Sequence, residues 1–364
     1  MKKRILSALL ALVMVLALLP ATVFAAAAET GKTSVRYYDK VQPNLLDESG
    51  QKIGPGWYYQ FQMDVGNNRK ETRYAKVDTG VVTGTSTSGT WYESADAALA
   101  KGQTSFTLLS NQTISNLNRN LTVDTNGNTL NISGADMTKV TSLTVTDARY
   151  AAAQKVGDNT VPQGTVSWNL DNSGTGTQSF TLTLRNGGQL SGGVSLTNPA
   201  NHTITMTDYA KIEGSVTMSG NAATNANAQN VSLSNYSKIT GAVELTGNSS
   251  RVNVASSEMG ALTLKGTGTQ LTVNGIISKV GAVTLNSAQS KTTGTNATVN
   301  ISQGRVESIT QTTDDLKSNI KITVGENGSA GDITIVNGAD ITVNQGSTGA
   351  ILSLIHISEP TRPY

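Results

Sequence analysis

Between residues 180 and 351 apolar and polar positions alternate in short runs, and the runs themselves recur. Ile204 and Met206 open one copy, Lys211-Ile212-Glu213-Gly214 makes a corner, and Val216 and Met218 close it. The phrase returns as Val231 and Leu233, Lys238-Ile239-Thr240-Gly241, then Val243 and Leu245. Later copies lead from Val252 and Val254 to Leu262 and Leu264, and from Leu271 and Val273 through Lys279-Val280-Gly281 to Val283 and Leu285. Val299 and Ile301 lead through Arg305-Val306 to Ile309, and the last copies are Ile320 to Ile335 and a start at Ile341. A period of two is that of a strand with one buried face, and no helical period occurs in this region.

First strands beginning at 204, 231, 252, 271, 299 and 320 give steps of 27, 21, 19, 28 and 21 residues. The two long steps carry extra polar residues in one place each, at 221–229 and 287–297, as a solenoid tolerates insertions in one loop. One strand pair could not bury its apolar face, whereas stacked coils pair with one another and share an interior of Ile, Val, Leu and Met. The expected fold is all-β, a right-handed parallel β-helix. With weaker copies upstream it would have about a dozen rungs and be roughly 50–60 Å long at about 4.8 Å per step. A β-sandwich would instead need hairpin turns between neighbouring strands, and here equivalent positions recur at coil spacing.

Residues 1–25 open with Lys2-Lys3-Arg4, continue apolar from Ile5 to Leu19 and end in small residues, the form of a cleaved secretory signal. The apolar run is too short for a stable membrane span, so none is expected after cleavage. The chain has no cysteine, which excludes disulfides and thiolate metal sites and leaves stability to the stacked core.

Residues 26–92 differ in composition, holding two of the three Trp and six of the ten Tyr. Residues 56–65 and 72–84 each alternate, and Gly66-Asn67-Asn68 between them suits a hairpin, so a small β module is expected at the N-terminus of the rod. Its aromatics Trp57, Tyr58, Tyr59, Tyr74 and Trp91 are candidates for a sugar-stacking platform, although alternation sends about half of such a set into a core.

The rod is expected to occupy residues 93–351. At its start, Ser94 suits a helix N-cap, residues 95–101 a two-turn helix and Gly102 its left-handed stop, with strands at 106–109, 121–123 and 130–132. This stretch, 94–132, resembles the opening coil of right-handed parallel β-helix surface proteins of Gram-positive bacteria. There a short Ala-rich helix and a Gly precede "LL" and a "DLNGNTL"-like strand, here Asp124-Thr125-Asn126-Gly127-Asn128-Thr129-Leu130. The resemblance implies the pectin-lyase-like fold and a cell-surface role, in proteins that often carry S-layer homology or sortase anchors. Residues 352–364 look different: "LSLIHISEPTR" is similar to a translated sequencing adapter, and it introduces Pro360 and Pro363. It is set aside as a non-native tail, and the native rod is expected to continue past Ile351.

The chain carries 27 basic and 25 acidic residues; without Lys2, Lys3 and Arg4 of the leader and Arg362 and Glu359 of the tail, 23 face 24. A nearly neutral mature segment has no global field for nucleic acid or acidic lipid. A polysaccharide lyase or hydrolase would need two or three carboxylates converging on one groove, often with calcium. Asp208, Glu213, Glu244, Glu258, Glu307, Asp332 and Asp340 are instead dispersed about one per coil, and Asp314-Asp315 lies in a polar loop. His202, in "NPANHTIT", is expected on a surface turn with no nucleophile spaced around it.

One column is less bland. Lys211, Lys238, Glu258, Lys279 and Arg305 fall at the same corner of successive coils and would stack about 4.8 Å apart. Lys211, Lys238, Lys279 and Arg305 are the candidate binding stripe for an anionic wall polymer or acidic glycan; alternatively the mixed signs only relieve repulsion. Tyr209 and Tyr236 align as a surface stack. The expected function is a non-catalytic secreted or cell-surface rod, a stalk or adhesion surface without cofactor. The alternatives are a polysaccharide-active enzyme on the same fold, or a carbohydrate-binding module in residues 26–92.

Overall fold

The computed structural model describes residues 33–174, 176–219, 228–286, 295–312, 319–336 and 339–353. The leader at 1–25, most of the two insertions, Asp314-Asp315 and the tail from 354 onward lie outside the described residues. The chain forms two compact units, 1–114 and 115–364.

The first unit is an antiparallel sheet of β1 (Thr33–Tyr38), β2 (Gly56–Asp64), β3 (Lys70–Val77), β4 (Val81–Thr85), β5 (Ser88–Tyr92) and β6 (Ser105–Leu108), in the order β3-β2-β1-β5-β4-β6. The β2–β3 turn holds Gly66, Asn67 and Asn68 at φ of 89°, 56° and 58°, the left-handed backbone that Gly and Asn tolerate. The alternating run at 72–84 is two strands rather than one, broken at Gly80, whose φ is 74°. Helix α1 (Ala95–Ala100) is capped by Ser94, whose hydroxyl accepts from the Ala97 N–H, and Gly102 at φ 83° ends it, as the pattern predicts. A final strand, β7 (Gln112–Ile114), completes this unit, with the Gln112 side chain accepting from the Ala95 N–H.

The second unit is a parallel β-helix, a solenoid of about ten turns. Its first strands pair in register through Leu121, Leu143, Leu182, Ile204, Val231, Val252, Leu271, Val299, Ile322 and Ile341, so ten coils stand where the pattern suggests a dozen. Nine steps of about 4.8 Å span about 43 Å. The five coils from Ser142 to Leu264 each have three strands, not two. The basic-apolar corner is itself a short strand, as at Lys211–Ile212 between Thr203–Met206 and Val216–Met218. Burial follows the period of two, as where Ile204, Met206, Ile212, Val216 and Met218 are all fully buried.

The outward positions between them form ladders. On the first face Thr122, Thr144, Thr183, Thr205, Ser232, Asn253, Thr272, Asn300, Thr323 and Thr342 are partners in sequence. Rows of this kind present no charge along the face.

Three local features differ from the pattern. Val299 pairs with Ile322 rather than Ile320, because the paired run begins one apolar position earlier, with Ala297 opposite Ile320. A slip of two leaves every apolar residue on its own face, which is why alternation alone could not detect it. Leu352 and Ser353, expected to break the rung, continue it in the strand Ile351–Ser353, paired with Ile333–Ile335. An unpredicted helix, α2 (Ala148–Lys155), lies at the first corner of the second coil, between Ser142–Thr146 and Thr165–Ser167. Asp147 caps it, and this fully buried carboxylate accepts from Tyr150 N at 3.1 Å, Gly164 N at 2.6 Å, Gly127 N at 3.0 Å and Thr125 Oγ1 at 3.3 Å. Burial, with the Asp147 charge adding to it, pushes the neighbouring Asp124 carboxyl above its ordinary range.

Candidate binding surfaces on the coils

The corner strands bring the expected charged column together. Lys211 pairs with Lys238, Lys238 with Glu258, Glu258 with Lys279 and Lys279 with Arg305. Glu258 bridges its two neighbours, its Oε2 lying 2.7 Å from Lys238 Nζ and its Oε1 3.4 Å from Lys279 Nζ. Lys238, and Lys279 after it, hold the Glu258 carboxyl below its usual range. Lys211 reaches Glu213 at 2.7 Å, and Lys265 reaches Glu244 at 2.7 Å on the neighbouring face. These pairs are largely exposed and contribute little to stability, on the order of 0–1 kcal/mol each. Their consequence is positional: the column from Lys211 to Arg305 carries four cations against Glu258 within it and Glu213 beside it.

Beside this column stands the tyrosine pair. Tyr209 and Tyr236 lie 5.1 Å apart, centroid to centroid, and 6° from parallel. Their backbones are unusual. Asn126-Gly127 and Asn186-Gly187 turn their coils with two left-handed residues, at φ of 47° and 78°, and of 49° and 79°. Asp208-Tyr209 and Asn235-Tyr236 make the same kind of turn at φ of 54° and 64°, and of 54° and 65°. A tyrosine in that region costs roughly 1–2 kcal/mol, where glycine adopts it freely. The stack returns about 1 kcal/mol for the pair, and the Asn235 Nδ2 donor to Asp208 Oδ1, at 3.1 Å, ties the two turns together.

The aromatic residues of the first unit do not converge on a single platform. Trp91 is buried with Val35, Val77 and Val82, Trp57 and Tyr59 pack against that cluster, and the Trp91 indole donates to the Thr79 carbonyl at 2.7 Å. Tyr58 and Tyr74 belong to another group, around Tyr38, with centroids 6.0 and 6.2 Å from it. Alternation along β2 explains the split, since residues 57 and 59 point one way and 58 the other.

His202 corrects the expectation of a surface turn: it is fully buried. Its Nδ1 accepts from the Phe180 N–H at 3.1 Å and its Nε2 donates to the Asn198 carbonyl at 3.3 Å, a neutral imidazole stapling two coils. Burial lowers its pKa from the ordinary 6.5. The unfolded chain therefore takes up the proton first, and the stability contributed by the neutral ring is present above pH 6.5 and lost as pH falls below it. The expected result is a Tm that declines between pH 7 and pH 5 and declines less in His202→Gln; equal slopes would show that His202 is not the group responsible.

A cleft of about 600 Å³ is lined by Met137, Thr138, Asp171, Asn172, Gln178 and Asn198 among others. A neighbouring hollow of about 310 Å³ shares Met137 and Asp171 and adds Trp168 and Asn169. Asp171 is the one carboxylate lining either, among the described residues. The nearby Asp136 accepts from Thr138 at 2.6 Å and pairs with Lys139 at 2.9 Å, contacts that hold it below the usual carboxylate range. Acid–base chemistry on a glycosidic bond uses two carboxylates across the scissile bond, and this cleft presents one. Among the described residues no three His, Cys, Asp or Glu side chains gather as a metal cluster, and no helix is long and apolar enough to cross a membrane. No known protein family, curated protein or solved structure matches the chain.

Proposed function

We propose that this chain is a non-catalytic, exported β-helix that presents its coil corners as an adhesion surface to a cell-wall polymer or extracellular glycan. The observation that carries the reading is the in-register column Lys211, Lys238, Lys279 and Arg305, four cations on five successive corners with Glu258 on the third. A polymer with anions at regular spacing meets such a column several times, and weak contacts then add along its length. The leader-like residues 1–25 and the resemblance of residues 94–132 to surface β-helices support export and a surface role.

The test is co-sedimentation with purified bacterial cell wall. The full chain is expected in the pellet at low salt, and the variant with Lys211, Lys238, Lys279 and Arg305 all changed to Gln in the supernatant. Equal retention of the two would remove the reading. The alternative, a polysaccharide-active enzyme, has its best location in the cleft at Asp171; product release from a polysaccharide that disappears in Asp171→Asn would establish it instead.

A further inference from the structure

Coil length is not uniform at the tyrosine corner. From Asn230 to Lys238 the chain takes eight residues, from Arg251 to Glu258 seven, and from Gln270 to Lys279 nine, although the ends of these segments are partners in register. The corner after Tyr236 is thus one residue short and is filled by Ser256, while the next bulges outward with Gly275, Ile276 and Ile277. Ladder contacts fix this order: the Tyr236 N–H donates to the Ser256 carbonyl at 2.7 Å and the Ser256 N–H to the Asn274 carbonyl at 2.9 Å. A low floor at Ser256 therefore lies between two walls. One is Tyr236, 59% exposed, and the other is Ile276 and Ile277, 77% and 43% exposed.

The walls stand two coils apart, about 10 Å at about 4.8 Å per coil. A saturated sugar ring in contact on both faces needs about 3.5–4.0 Å on each side of its own atoms, so one ring fills the gap. Stacking of tyrosine against the C–H face of a pyranose suits the Tyr236 wall, and Tyr209 behind it keeps the ring in plane. Two residues beyond each tyrosine come Lys211 and Lys238, two beyond Ser256 comes Glu258, which bridges Lys238 and Lys279, and then follow Lys279 and Arg305, so the ring that enters meets two cations on either side of one carboxylate. An exposed tyrosine backed by a half-buried one, and two exposed isoleucines across a serine floor, are hard to account for by folding, since glycine serves the tyrosine positions in two other coils.

We infer that the Tyr236–Ser256–Ile276 notch binds one ring of a uronic-acid-containing polysaccharide, with the polymer running along the lysine column. The inference rests on the proposed glycan-binding function and deepens it. Affinity electrophoresis of the full chain in gels containing polygalacturonate or a neutral glucan tests it. The intact chain is expected to be retarded by polygalacturonate and not by the glucan. The double variant Tyr209→Gly with Tyr236→Gly is expected to bind about tenfold more weakly, with a Tm equal to or above that of the parent, because glycine relieves both left-handed turns. Undiminished retardation of this variant in polygalacturonate overturns the notch while leaving the lysine column in place. Equal retardation by the neutral glucan overturns the acidic ligand. A concentration-dependent dimer that the double variant abolishes, seen by light scattering, would assign the same patch to a second copy of the chain and overturn the sugar site. Absence of binding by the intact chain to polygalacturonate and to cell wall alike would remove the proposed function itself.

Discussion

Asp147→Ala is expected to lower the unfolding free energy by about 4 kcal/mol and to melt helix α2 before the rest of the rod. Three backbone donors, Tyr150, Gly164 and Gly127, point at this one buried carboxylate, and the Thr125 hydroxyl makes a fourth contact. Each buried donor left without a partner costs about 1–3 kcal/mol, and the lost N-cap adds about 1 kcal/mol, with less than full additivity. Asp147→Asn retains one acceptor oxygen but turns an NH₂ toward backbone donors, so it should recover less than half of the loss. Urea unfolding followed by far-UV circular dichroism gives the total, and hydrogen exchange at residues 148–155 gives the local part. A loss below about 1 kcal/mol would mean that the carboxylate does not organise the first corner of the second coil.

Gly241→Ala is expected to destabilise the rod by about 2–3 kcal/mol, a large effect for one added methyl group. Gly214, Gly241, Gly260 and Gly281 stack at the corner that follows the charged strand, each backed by the glycine of the preceding coil. Their backbones are not left-handed; the requirement is close approach. A Cβ on Gly241 would collide with the carbonyl and peptide of Gly214 and the amide of Ser215, all backbone atoms that yield only if the coils separate. Gly50 is the comparison, because nothing lies within 4 Å of its Cβ direction; its φ of 82° still strains an alanine there, but without a collision. A loss at Gly241 no larger than that at Gly50 would show that the coils part easily at this corner.

The glycine in the repeated Lys-Ile-x-Gly phrase was legible from the sequence, and so were the alternating faces and the charged column. All three come from one physical demand, that every coil present the same face to the interior and the same backbone to its neighbours. Long-range pairing was not legible. The role of His202 depends on Phe180 and Asn198, partners 22 and 4 residues away that no spacing rule joins. Helix α2 carries no clear periodicity, and it folds because Asp147, anchored to two other segments, caps it. The five aromatics of the first unit share a composition but not a face, so residue counts suggested a platform that alternation divides. The notch at Ser256 required the register itself, because one missing and one extra residue become a depression only after the coils are aligned.

That register is the claim on which the columns, the glycine stack and the notch all depend, and cross-linking measures it directly. The chain has no cysteine, so any disulfide reports on introduced residues alone. Thr205 and Ser232 are partners on adjacent coils, at a strand spacing of about 4.8 Å, within disulfide reach. Thr205 and Asn253 stand two coils apart, at about 9.6 Å, beyond it. Mild oxidation is expected to close Thr205→Cys with Ser232→Cys quantitatively within one chain and to leave Thr205→Cys with Asn253→Cys as free thiols. Closure of the second pair in preference to the first would contradict the coil order described above.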